Sequence, residues 1–123
     1  MNVVDSSGWL AYFADDGNAD FFAKVIEDGE NLLVPAIVIY EVFKHILQRR
    51  GLALAHEAVA DMYSGSVVAV DESLALSAAV ISVEHKLAMA DSMILATARA
   101  HDAVLWTQDA DFAGLDGVKF RAK

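Results

Sequence analysis

The 123-residue sequence contains no cysteine. Disulfides, zinc–thiolate sites, iron–sulfur clusters and thiol catalysis are therefore excluded, and a reducing compartment fits this composition. Long apolar runs are also missing, because Glu41, Asp71 and Asp91 interrupt the longest ones, so no transmembrane helix is expected. The first residues, MNVVDSS, lack the basic start and apolar run of a signal peptide. We therefore expect a soluble, cytoplasmic protein.

Basic residues are few. Nine Lys and Arg face 18 Asp and Glu, which leaves a net charge of −9. Nucleic-acid binding draws much of its affinity from phosphate neutralisation, so this balance argues against a nucleic-acid binder and favours a basic partner or a bound cation. The 56% hydrophobic content provides a core, and the length fits one domain over residues 1–123.

The single proline, Pro35, separates an apolar run from a helical pattern. Proline suits the first turn of a helix, which predicts a strand over NLLV and a helix from Ala36 to Arg50 that stops at Gly51. Further strands are predicted at 2–4, 66–70, 104–106 and 118–120. Further helices are predicted at 9–14, 19–28, 53–63, 72–83 and 90–101. Alternating strands and helices, with continuous apolar strands, predict an α/β fold in which helices cover both faces of a parallel sheet.

Four acidic residues lie at the ends of these apolar elements or inside them. Asp5 ends the first strand, and Glu41 lies about two turns into the helix after the second. Asp91 opens the helix over 90–101, and Asp109 follows the strand 104–106 by three residues. Sites in parallel sheets form outside the carboxyl ends of the strands. We therefore expect the four carboxylates to converge at that edge.

Each acid also has a structural explanation. The three aspartates are placed to cap helix N-termini, and Glu41 can pair with Lys44 or His45 on its own helix. Asp91 and Glu41 nevertheless share helix faces with apolar residues, and buried charges need partners. Two like charges 4 Å apart repel by about 4 kcal/mol at an effective dielectric constant of 20. All-oxygen ligation of Mg²⁺ or Mn²⁺ would relieve that repulsion.

Four segments, VVDSSGWL, PAIVIYEV, ADSMILATA and TQDADF, together resemble the PIN-domain nucleases. In length and motif order the chain is most similar to the VapC-type toxins of bacterial toxin–antitoxin pairs, and the resemblance covers Val3 to Phe112. It implies a three-layer α/β/α PIN-like fold with a short parallel sheet. It also implies a Mg²⁺-dependent endoribonuclease, with Mn²⁺ as a substitute metal.

The resemblance also assigns roles to individual residues. The implied acidic quartet is Asp5, Glu41, Asp91 and Asp109. The aspartates of the first and third motifs would be the most direct metal ligands, while Glu41 would complete the shell or orient water. Thr107 and Ser6 would support the site by hydrogen bonding, and Asp111 competes with Asp109 for the fourth role. A metal-activated water would attack phosphorus in line, releasing a 3′-hydroxyl and a 5′-phosphate.

The implied partners are an RNA substrate, a VapB-type antitoxin that covers the active site, and a second copy of the chain in a homodimer. DNA would be contacted only through the antitoxin, and no membrane is involved. Lys44, Arg49 and Arg50 are candidate RNA contacts, although each is more simply a solvated charge. The candidate antitoxin groove consists of six residues, most of which are better explained as part of the hydrophobic core. They are Trp9, Tyr12, Phe13, Tyr40, Phe43 and Leu47.

Three other functions fit parts of the pattern. A receiver domain would use Asp5 for metal, Asp71 as phosphoacceptor, Thr107 and Lys119. Against it, the first strand ends in one acid where a pair is expected, no proline follows Lys119, and Glu41 would have no role. The others are a PIN nuclease of RNA processing that is not a toxin and a catalytically inactive binding domain, which the complete quartet argues against.

Overall fold

The computed structural model describes residues 1–123, which form five strands and six helices. The strands are β1 (Asn2–Val4), β2 (Leu32–Pro35), β3 (Ser66–Val68), β4 (Val104–Thr107) and β5 (Val118–Phe120). The helices are α1 (Ser6–Ala14), α2 (Ala19–Ile26), α3 (Ala36–Arg50), α4 (Leu52–Met62), α5 (Glu72–His85) and α6 (Met89–Ala100). Two short 3₁₀ turns, Gly29–Asn31 and Ala110–Phe112, complete the chain.

All strand pairs are parallel, and the strand order is β3-β2-β1-β4-β5. The chain moves outward from β1 to β2 and β3, then returns to form β4 on the other side of β1. The direction of winding therefore reverses between β1 and β4. In open parallel sheets, ligands bind at the carboxyl ends of the strands at this reversal, so the fold selects the edge beside Val4 and Thr107.

The helices form a layer on each face of this sheet. Crossovers between parallel strands are right-handed, so α1–α4 pack on one face and α5 and α6 on the other. The central strands are the most deeply buried, with all four residues of β2 buried. A continuous core of 24 buried apolar residues lies between the layers. This is the three-layer α/β/α arrangement of the PIN fold, and the predicted fold class is confirmed.

Local signals predicted most element bounds to within two residues. Helix α3 spans Ala36–Arg50 as expected, and it ends where Gly51 adopts φ 91°, a conformation that glycine adopts without strain. Strand β3 ends at Val68, two residues short of the prediction, because its only partner β2 ends opposite it at Pro35. Helix α1 starts at Ser6, three residues early, because Asp5 caps it.

No single helix is long and apolar enough to cross a membrane. Only α5 and α6 taken together reach that length and composition, and they are bent by 114° at the break between them.

Candidate metal centre

Asp5 is held rigidly at the carboxyl end of β1. Its side chain is 2% exposed and accepts hydrogen bonds from the Gly8 N–H at 2.9 Å, the Ser7 hydroxyl at 2.8 Å and the Thr107 hydroxyl at 2.6 Å. The pKa of this carboxyl is raised to about 6, mainly by burial and to a smaller extent by the charge of Asp109, against the opposing effect of these hydrogen bonds. The residue is therefore a fixed, desolvated carboxylate.

The first turn of α1 needs the small residues that follow Asp5. A Cβ at Gly8 would lie 2.5 Å from Cγ1 of Val4 and 2.7 Å from Cε1 of Phe22, so only glycine allows this close approach. Neither Ser7 nor Gly8 was singled out from the sequence, although both lie within the DSSGW segment. Their position directly after a strand-ending acid was the available signal.

Thr107 connects the ends of β1 and β4. It is fully buried, and its hydroxyl donates to Oδ2 of Asp5 while accepting a 2.9 Å bond from the N–H of Asp109. A hydroxyl can do both at once. The hydrogen-bonding role expected for Thr107 therefore has a definite geometry in the structure.

Three further carboxylates meet beside this pair. Oxygens of Asp91, Asp109 and Asp111 lie within 4.8 Å of one another. The pKa of half-buried Asp91 is raised to about 6, first by burial and then by the charges of the neighbouring carboxylates, of which Asp109 acts most strongly. Asp109 also accepts a 2.9 Å bond from the N–H of exposed Asp111. Asp109 and Asp111, the two candidates for the fourth acid, therefore both lie in the cluster.

Glu41 faces the same cluster from α3. One of its carboxylate oxygens, Oε1, is buried and has no hydrogen-bond partner. Burial raises the pKa of Glu41, the Ser6 hydroxyl opposes this shift, and the charge of Asp109 adds to it. No ion pair forms with Lys44, since the only salt bridge in the molecule joins Arg121 and Asp20.

The structure separates the two explanations considered for these acids. Asp5 caps α1 and Asp109 caps the 3₁₀ turn, as expected of capping residues. The expectation that Asp91 caps its helix is wrong, because the N-cap is Ala88 and Asp91 is the third helical residue. The alternative pairing of Glu41 with a basic neighbour on α3 is also wrong. Neither Asp91 nor Glu41 is therefore paired with a basic residue, and Oε1 of Glu41 has no hydrogen-bond partner.

The donor set fits a hard divalent cation. It consists of carboxylate oxygens, which Mg²⁺ and Mn²⁺ prefer. The orphaned, buried Oε1 of Glu41 would cost free energy without a partner. Mutual repulsion within the cluster also raises the pKa of Asp91, and a cation would relieve both costs.

The candidate RNA contacts on α3 have different surroundings. Lys44 is exposed, and its ammonium lies 5.7 Å from the ring centroid of Tyr40. Arg49 and Arg50 lie two turns beyond Glu41 and line a groove of about 470 Å³. The lining of this groove is completed by Leu10, Phe13, Ala14, Asp16, His45, Ile46, Leu54, Glu57, Ala58 and Asp61.

Only part of the expected aromatic groove is present. Phe13 lines the cavity between α1, α3 and α4. Trp9 does not, because it is fully buried in the core, where its ring packs against Tyr12 and Phe13. On α3, Tyr40 and Leu47 are exposed, while the ring of Phe43 packs against His56.

The receiver arrangement does not occur. Strand β3 is at an edge of the sheet, separated from β1 by β2. Asp71, which follows β3, caps α5 by accepting the N–H of Leu74 at 2.8 Å. Asp5 and Asp71 therefore do not share a site, and the receiver alternative is wrong.

Comparisons with known proteins agree with the architecture. The sequence model for the PIN domain matches residues 3–118. A toxin–antitoxin complex from Klebsiella pneumoniae superposes with a TM-score of 0.81 at 22% identity, covering 97% of this chain and 96% of that one. VapC20 of Mycobacterium tuberculosis, a toxin that cleaves the sarcin–ricin loop, gives 0.79 at 20% identity, covering 96% and 97%. DNA-bound VapBC from Salmonella typhimurium gives 0.76 at 14% identity, covering 99% and 98%. A comparison with curated proteins gave no match.

Proposed function

The chain belongs to the PIN-domain family, and from that premise we propose that it is a metal-dependent endoribonuclease, the toxin of a toxin–antitoxin pair. The observation that carries the proposal is the group of carboxylates at the β1–β4 reversal, where Asp91, Asp109 and Asp111 approach within 4.8 Å. The folds of a VapC toxin and of two toxin–antitoxin complexes support it.

The proposed metal ligands are the acids of this cluster. Asp91, Asp109 and Asp111 are close enough to share one cation, and Asp5 and Glu41 complete the negative site from β1 and α3. A bound Mg²⁺ or Mn²⁺ would lower the pKa of a coordinated water and polarise the phosphodiester. The ligand roles of Asp5 and Asp91 proposed from the sequence are kept, and Asp111 joins Asp109.

The chain's own residues would position the reactants and handle protons. Thr107, Ser7 and the Gly8 N–H fix the carboxylate of Asp5, so its charge needs no reorganisation during the reaction. Oε1 of Glu41 is a free acceptor, suited to orient the attacking water and receive its proton. In-line attack at phosphorus would leave a 5′-phosphate and release a 3′-hydroxyl.

The proposed partner is a VapB-type antitoxin that covers the acidic edge, with a homodimer as the functional unit and DNA reached only through the antitoxin. The cavity between α1, α3 and α4 provides an apolar seat with Phe13, Ile46 and Leu54 in its lining. Lys44, Arg49 and Arg50 remain proposed RNA contacts, and Lys44 lies nearest to Glu41 along the helix.

Cleavage of an end-labelled RNA pool by the partner-free protein tests the proposal. We expect cleavage in Mg²⁺ or Mn²⁺, none in EDTA, and 5′-phosphate on the downstream fragments. Asp102→Asn is a matched control. Asp102 is exposed and follows the end of α6 that is remote from Asp91, and its φ is 49°, a value that asparagine tolerates. Equal cleavage by wild type and Asp91→Asn would refute the assignment.

A further inference from the structure

The few basic residues of the chain are unevenly distributed. Three of the nine, Lys119, Arg121 and Lys123, lie within its last five residues. Because β5 is parallel to β4, the chain leaves β5 at the same sheet edge that carries the acids. The N–H of Arg121 donates to the carbonyl of Thr107 at 3.1 Å. The backbone of the basic segment therefore lies at the edge that carries the carboxylate cluster, in a protein of net charge −9.

Two of these cations are held against aromatic rings. The Lys119 ammonium lies 4.7 Å from the ring centroid of Trp106, and the Arg121 guanidinium lies 4.9 Å from that of Phe21. The two rings pack at 5.0 Å. Cation–π contacts of this kind restrict long side chains. Binding a ligand would therefore cost less conformational entropy at Lys119 and Arg121 than at unrestrained surface cations.

The backbone of this segment is also tied to the acidic edge. The Asn18 side-chain N–H₂ group donates to Gln108 Oε1 at 3.1 Å and to the carbonyl of Ala122 at 3.0 Å. Gln108 in turn donates to the carbonyl of Ser7 at 3.3 Å. Since Gln108 directly precedes Asp109, these bonds fix the basic segment relative to the cluster.

We propose that Lys119, Arg121 and Lys123 form a phosphate-binding surface, the β5 basic surface, that receives single-stranded RNA beside the acidic edge. The inference rests on the proposed nuclease function. The only acid paired with this surface is Asp20, 3.5 Å from Arg121, with both side chains largely exposed. Exposed ion pairs are weak, so a phosphate can replace Asp20. Arg49 and Arg50, by contrast, share their groove with Asp16, Glu57 and Asp61.

Fluorescence anisotropy with a labelled single-stranded RNA tests this surface. All proteins carry Asp91→Asn, and EDTA is present, so that binding is measured without cleavage. We compare the parent, Lys119→Gln/Arg121→Gln, and Arg49→Gln/Arg50→Gln over a series of salt concentrations. Each lost phosphate contact reduces the slope of log K against log salt by about 0.7 for single strands. We expect the β5 variant to bind more weakly, with a slope reduced by about 1.4, and the α3 variant to lose less affinity and less slope, because acids share its groove.

The charge-conserving variant Lys119→Arg/Arg121→Lys separates charge from structure, and it should keep the parent slope. An unchanged slope in the β5 variant, a loss confined to the α3 variant, or no RNA binding by the parent would overturn the inference. Cleavage is assayed separately with Asp91 intact. Absence of cleavage together with RNA binding that depends on β5 would refute the nuclease function and leave the basic surface standing.

Discussion

The hydroxyl of Thr107 donates a 2.6 Å hydrogen bond to Asp5 and accepts a 2.9 Å bond from the N–H of Asp109. Asp5 and Thr107 are 102 positions apart in sequence, yet this one side chain sets the relative placement of two acids. The strand order makes the contact possible, because β1 and β4 are neighbours at the point where the winding reverses.

Replacing this hydroxyl should destabilise the protein and alter the titration of Asp5. Thr107→Val keeps the shape but leaves the part-buried Asp109 N–H without its partner and removes one of the hydrogen bonds to Asp5, which costs about 1–3 kcal/mol. The pKa of Asp5 should rise further, because the Thr107 hydrogen bond now lowers it. Urea unfolding and the pH profile of cleavage measure the two effects. Thr107→Ser, which keeps the hydroxyl, should have wild-type stability and a wild-type pH profile of cleavage. A Thr107→Val variant with wild-type values for both would contradict the role of this hydroxyl.

The metal-free protein should lose stability as the pH rises from about 4 to 7. Asp5 and Asp91 have a pKa of about 6 in the folded state and 3.8 ordinarily, so between these values the folded state binds more protons than the unfolded state. Stability then falls with rising pH, by roughly 3 kcal/mol for buried Asp5 and less for half-exposed Asp91. Melting in EDTA at pH 4.5 and 7.5 measures this. The double variant Asp5→Asn/Asp91→Asn should have nearly the same Tm at both pH values. A wild-type Tm that is higher at pH 7.5 than at pH 4.5 would argue that burial does not raise the pKa of these acids.

Divalent metal should stabilise the folded protein. A ligand that binds only the folded state at 100 times its Kd adds about 2.7 kcal/mol, which corresponds to a rise in Tm of several degrees. We expect this rise with millimolar Mn²⁺ at pH 7.5 in partner-free wild type and in Asp102→Asn, and its loss in Asp91→Asn. An equal rise in all three proteins would place the bound metal elsewhere.

The clustered acids should differ in their contribution to cleavage. Asp91→Asn and Asp109→Asn should lower kcat/KM by at least about a hundredfold, equivalent to about 2.7 kcal/mol. Asp111→Asn should cost less than about tenfold, because Asp111 is exposed and water can replace its carboxylate. Initial rates on one RNA give the order. A larger loss in Asp111→Asn than in Asp109→Asn would contradict this order and make Asp111 the more important of the two ligands.

Removing the charge of Glu41 should separate stability from activity. Burial and the charge of Asp109 raise the pKa of Glu41, so Glu41→Gln, which removes the charge, should stabilise the metal-free protein at pH 7.5 while lowering cleavage. Chemical denaturation and rate measurements on the same preparation test both effects. Glu84→Gln, at an exposed position on α5, should change neither. A Gln variant that is fully active would exclude the proton-accepting role.

Much of the fold could be predicted because its signals are local. Pro35 and Gly51 mark the bounds of α3, and continuous apolar strands imply a buried parallel sheet. One error arose where a boundary depends on a distant partner. Strand β3 ends with its only neighbour β2. Helix α6 begins two residues before Asp91 without a capping side chain, so the position of this acid within its helix had no local signal.

The sequence by itself determined the helices, the parallel strands, the placement of acids at element ends and the family motifs, because these depend on residue type and short-range spacing. Only the tertiary structure decided which strands are neighbours, and hence that Asp5 meets Thr107. It also decided that Asp109 and Asp111 both reach Asp91, and that the backbone of Arg121 is bonded to Thr107 at the same edge. These relationships join residues far apart in sequence, and packing of the whole core selects them.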